Sequence, residues 1–134
     1  MLALGLALAA CGSGGTPKVS GSSGDHMNTA TCSPSGTALK VTAKNIAFDV
    51  SCLAAPAGQA FTIALTNDDN GTTHNLAIFS ADPATNPGAK VLFRGTQFAG
   101  VKSMTYNVSA LAAGTYHFHC DVHPTQMSGT FVVK

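Results

Sequence analysis

The 134 residues include six Asp, no Glu, six Lys and one Arg, giving a net charge of +1 with 45% hydrophobic and only 10% charged side chains. Seven scattered cations supply no clustered basic patch, which argues against binding to nucleic acid or another polyanion. Once an apolar start and the Gly/Ser stretch up to about Gly36 are discounted, roughly one hundred residues remain, enough for a single domain.

In chain order the first object is Met1 to Ala10, almost wholly apolar, then Cys11 and the run Gly12-Ser13-Gly14-Gly15. Ten apolar residues fall short of the about twenty needed to span a bilayer and suit the apolar centre of a signal segment. Leu8-Ala9-Ala10-Cys11 resembles a bacterial lipobox. That resemblance implies cleavage before Cys11, a lipid on its sulfur and an extracytoplasmic, membrane-anchored protein. Residues 12–36 are mostly Gly, Ser, Thr and Pro, carry almost no large apolar side chain and read as a flexible linker.

After Gly36 the chain breaks into short β-prone runs bounded by Pro, Gly, Asn and Asp. The expected strands are 38–43, 46–50, 59–66, 75–80, 91–93, 101–108, 115–120 and 129–133. Phe61, Ile63 and Leu65 alternate with polar or small residues, as do Met104, Tyr106 and Val108, the pattern of strands with one buried face. Seven to eight such strands in residues 37–134 predict an all-β fold, an antiparallel Greek-key β-sandwich.

The four cysteines divide by context. Cys11 belongs to the lipobox. Cys32 and Cys52 flank the first strands, and export would put them in an oxidising compartment, where a bridge is permitted and would stabilise by about 3 kcal/mol; two separate thiols, with Cys52 packed as a small apolar residue, is the alternative. Cys120 is left over. Alternation through Tyr116-His117-Phe118-His119-Cys120 places its thiol on the same side as Tyr116 and Phe118. The next residues offer an imidazole at His123 and a thioether at Met127 before the last strand, and His74, beside the turn Asn67 to Thr73, adds a second imidazole. Two imidazoles, a thiolate and a weakly held thioether make a donor set that suits copper.

Thr72-Thr73-His74-Asn75 together with Cys120-x-x-His123-x-x-x-Met127-x-Gly129 resembles the cupredoxins, the blue copper proteins of the plastocyanin, amicyanin and azurin group. The resemblance covers residues 37–134. It implies one mononuclear copper with His74, Cys120 and His123 as equatorial ligands and Met127 as axial ligand, Gln126 being an axial substitute beside it. Asn75 would brace the ligand loop through hydrogen bonds. The function implied is electron transfer by a monomer, without enzymatic chemistry, to redox proteins of a membrane chain. A copper carrier or sequestering lipoprotein would use the same ligands. His117 and His119 face the other side of their strand and read as surface residues; a second metal bound by them, as in a copper redox enzyme, is the remaining alternative.

Overall fold

The computed structural model describes residues Cys32 to Lys134; Cys11 lies outside the described residues. Ten strands follow in order: β1 (Ala38–Ala43), β2 (Cys52–Ala55), β3 (Phe61–Asn67), β4 (Thr73–His74), β5 (Ala77–Phe79), β6 (Val91–Arg94), β7 (Phe98–Ala99), β8 (Lys102–Val108), β9 (Gly114–His119) and β10 (Ser128–Val133). They form a three-stranded sheet β1-β3-β8, a five-stranded sheet β2-β10-β9-β5-β6 and the two-stranded β4-β7 pair. Among the described residues no helix is long and apolar enough to cross a membrane.

Alternation does what the sequence predicts. In β3, Phe61, Ile63 and Leu65 are buried, and in β8 Tyr106 and Val108 join them. From the second sheet come Leu53, Ile78, Phe118 and Phe131, so the core lies between the two larger sheets. Phe61 of β3 stacks on Phe131 of β10 at a ring separation of 5.4 Å, which joins the sheets face to face.

The all-β sandwich is as expected, but its pairing is mixed rather than antiparallel throughout. β1 runs parallel to β3 with Leu39 opposite Ile63, and β2 runs parallel to β10 with Leu53 opposite Phe131. Parallel partners need distant connections, which local patterning does not encode.

Residues 46–50, expected as a strand, supply only an isolated bridge between Ala43 and Phe48. Asn45 and Ile46 both adopt left-handed backbone, with φ of 55° and 57°, and turn the chain instead. A β-branched residue there is unfavourable on its own and has to be held by its surroundings. Cys32 is joined to Cys52 of β2 in a disulfide, as the cysteine context permits.

Candidate metal centre

Sequence-distant donors meet at one end of the sandwich. His74 closes β4, where it pairs with Phe98 of β7; Cys120 directly follows β9. The segment between β9 and β10 is closed by its own backbone. The amide of His123 donates to the carbonyl of Cys120 (3.2 Å), that of Met127 to the carbonyl of His123 (2.9 Å), and that of Cys120 to the carbonyl of Met127 (2.9 Å). This ring of bonds returns the chain to Cys120 and turns His123 and Met127 toward the same region.

His74, Cys120 and His123 form the one potential metal-holding group of His, Cys and acidic residues found among the described residues, with donor atoms within 4.8 Å of one another. Cys120 Sγ is 3.8 Å from His74 Nδ1 and 3.9 Å from His123 Nδ1. An ion bonded to sulfur and nitrogen at about 2.3 and 2.0 Å in a trigonal plane sets such donors roughly 3.8 Å apart, so the spacing fits a three-donor metal plane. Met127 is wholly buried in the same cluster as Cys120, whereas Gln126 is exposed, its side-chain oxygen accepting from the Thr125 hydroxyl at 2.7 Å. Between the two axial candidates, the thioether is the one inside.

Asn75 joins the segment behind His74 to the residue after Cys120. Its Nδ2 donates to the carbonyl of Gly95 (2.9 Å) and to Asp121 Oδ2 (2.6 Å), and its Oδ1 accepts from the amide of Asp121 (2.9 Å). The start of the segment between β9 and β10 is thereby tied to the segment behind His74. Asp121 also takes Arg94 Nε at 3.1 Å. Nearby, Tyr106 donates to the carbonyl of Thr96 at 2.8 Å; burial above all, with the charge of Cys120 behind it, pushes its hydroxyl well above the ordinary value.

Two features escape sequence reasoning. One is Asp69, whose Oδ2 lies 2.9 Å from Nε2 of the buried His74; within Asn67-Asp68-Asp69-Asn70-Gly71 it reads only as turn chemistry. The other is the setting of His117 and His119. Both face away from Cys120 as alternation requires, but neither is an exposed surface residue, His117 being half-buried. His119 is buried, its ring 4.3 Å from that of Phe79, and Nε2 of His117 is shut from solvent without a hydrogen-bond partner. The segment after β5 folds over this outer face, bringing Asp82 Oδ1 to 3.8 Å from His117, while Asp121 Oδ1 stands 3.6 Å from His119.

Burial is the leading influence on both rings and lowers their proton affinity. Asp82 works against it at His117; at His119 the neighbouring His117 adds to the lowering, while Asp121 and Asp82 oppose it. Folded values below the unfolded value of about 6.5 mean that the unfolded chain binds protons more readily. The stability involved is present above about pH 6.5 and is lost as pH falls through the folded values. Thermal melts of the metal-free domain should therefore drop in midpoint between about pH 7 and 5, and the drop should shrink in a His117→Gln, His119→Gln variant. An unchanged profile in that variant would assign the acid sensitivity elsewhere.

The family described as "Cupredoxin-like domain" matches residues 19–133. The chain belongs to the cupredoxin-like domain family. Among solved structures, auracyanin A, a "blue" copper protein from the green thermophilic photosynthetic bacterium Chloroflexus aurantiacus, matches with a TM-score of 0.65 at 22% identity, covering 74% of this chain and 99% of the other. Reduced auracyanin from the photosynthetic bacterium Roseiflexus castenholzii matches at 0.62 and 23%, covering 73% and 97%. The reduced Cu(I) form of an amicyanin variant matches at 0.51 and 26%, covering 72% and 82%. No curated protein sequence matches the chain. The blue-copper fold expected from the ligand motif is thus the fold of this cupredoxin-like chain.

Proposed function

We propose that this cupredoxin-like chain is an electron-transfer protein holding one type 1 copper, with His74, Cys120 and His123 as equatorial ligands and Met127 as axial ligand. The observation that carries the reading is the convergence of Cys120 Sγ with His74 Nδ1 and His123 Nδ1 at 3.8 and 3.9 Å. Copper in such a set supplies one-electron exchange between Cu(II) and Cu(I). The protein's part is to keep the donors where both states accept them. Cys120 and His74 are fully buried, and the backbone bonds from Cys120 to Met127 restrain the loop, so little rearrangement accompanies a change of charge. With four donors engaged, a bound metal would keep no open position for a substrate, and the role would be electron transfer rather than catalysis. Redox proteins of a membrane chain would meet the half-buried edge of His123, where Val122 is exposed. The metal-loaded domain, challenged with a Cu(II) chelator and cycled with ascorbate and an oxidant, should keep its copper through repeated reduction. Rapid loss of the metal to the chelator would favour the copper carrier instead.

The anchor belongs to the same reading. Cys11 would carry the lipid, and the twenty residues between it and Cys32, which is bridged to Cys52, would tether the domain to an extracytoplasmic membrane face over a root-mean-square distance of about 22–27 Å. Full-length protein should fractionate with membranes and Cys11→Ser should be released to the soluble fraction. Equal partitioning of the two would rule the anchor out.

A further inference from the structure

We infer that Asp69 is a positioning residue for the metal centre: fastened by the Asn45–Ile46 turn, its carboxylate presents His74 with Nδ1 toward Cys120 and favours Cu(II) over Cu(I). The inference rests on the proposed copper site and deepens it.

The first support is the contact itself. Nε2 of His74 and Oδ2 of Asp69 are 2.9 Å apart, and the imidazole is wholly buried, so water does not compete for that nitrogen. An ionised carboxylate only accepts, which puts the ring proton on Nε2 and leaves Nδ1 with a bare lone pair. Nδ1 is the nitrogen that stands 3.8 Å from Cys120 Sγ.

The second support is what fastens the carboxylate. Oδ1 takes the backbone N–H of Asn45 at 2.6 Å, and Oδ2 takes that of Ile46 at 3.0 Å. These two N–H groups come from the consecutive left-handed residues, and successive amides in a turn form a concave cradle for an anion. The two amide bonds, one to each oxygen, hold the carboxylate in a single orientation. From the other side, the amide of Asp69 donates to Asn67 Oδ1 at 2.9 Å, and Asn67 Nδ2 donates to the carbonyls of Thr72 (2.8 Å) and Phe98 (3.3 Å). The turn carrying Asp69 and the strand pair carrying His74 are therefore one braced unit, and the carboxylate cannot swing away from the imidazole.

Three N–H groups thus face two carboxylate oxygens. An amide in place of the carboxylate turns one of those oxygens into a donor facing donors. A carboxylate on the far nitrogen of a metal-bound imidazole raises its basicity, and a more basic ligand favours the more highly charged metal state.

The experiment compares reduction potentials of copper-loaded wild type, Asp69→Asn and Asp49→Asn. Asp49 is the control because its Oδ1 also accepts a backbone N–H, that of Thr42 at 2.7 Å, but from strand β1 rather than from the Asn45–Ile46 turn and without touching His74. Outer-shell partners of this kind alter metal affinity by about 10–100-fold. Falling on Cu(II), that change raises the potential of Asp69→Asn by about 60–120 mV at 59 mV per tenfold, while Asp49→Asn stays near wild type. Equal potentials for the two variants overturn the inference.

A second readout needs neither copper nor a variant. Nitrogen-15 NMR of the metal-free wild type should find His74 protonated at Nε2, and a proton on Nδ1 instead would overturn the inference even if Asp69→Asn failed to fold. Should the wild type form no stable copper site, the proposed function fails, and the NMR result still decides whether Asp69 sets the ring.

Discussion

Replacing Cys120 by serine should remove the intense visible band expected of the copper-loaded protein while the domain stays folded. The thiolate is the strong charge donor of the proposed set, and a serine hydroxyl does not replace it as a soft ligand. The fold does not depend on that sulfur. Phe61 still stacks on Phe131 between the sheets, Cys32 and Cys52 remain bridged, and β9 keeps its pairing with β5 and β10. The metal-free variant should lose about 1–3 kcal/mol, the cost of a hydroxyl in the buried place of a thiol. Visible absorption and far-ultraviolet circular dichroism on one sample check both halves, and a surviving band would remove Cys120 from the site.

Gly129→Ala has the largest expected effect on stability. Gly129 stands opposite Phe118 in the β9–β10 ladder, and a Cβ there would come within 2.6 Å of the Phe118 ring and press on the carbonyl of Ser51. Phe118 is fully buried and sits against Phe48 at a ring separation of 5.7 Å. Ser51 accepts the Thr130 amide at 2.9 Å beside the β2–β10 pair. Neither neighbour can retreat without opening core or ladder, so the substitution should cost about 3 kcal/mol. For a domain of this size that lowers the melting midpoint by about 12–24 °C, readable by thermal denaturation of the metal-free protein. A midpoint within a few degrees of wild type would mean that the sheet relaxes there. The glycine in Met127-x-Gly129 is thus explained by the close approach of Phe118 and Ser51.

Much of the candidate site is legible because its donors lie in local sequence. Cys120, His123 and Met127 fall within eight residues, and the alternation of Tyr116, Phe118 and Cys120 tells which way the thiol points. His74 and Asn75 are neighbours, so finding one finds the other. Three things were not legible, each for a physical reason. The two-residue strands β4 and β7 exist through their pairing with each other, not through a run of apolar side chains. The segment after Ala43 has strand-like composition, but the backbone of Asn45 and Ile46 turns left-handed, and the cradle they form is filled by Asp69, more than twenty residues away. His117 and His119 alternate outward as expected, yet the segment carrying Asp82 covers them, and strand periodicity carries no information about what lies over a sheet face.

Adding one equivalent of Cu(II) to the metal-free domain, its Cys32–Cys52 bridge intact, and recording the visible spectrum decides whether His74, Cys120 and His123 hold a type 1 copper. An intense thiolate-to-copper band should grow to a one-to-one endpoint, bleach with ascorbate and return on reoxidation. A colourless protein at that endpoint, with His74, Cys120 and His123 intact, would contradict that assignment.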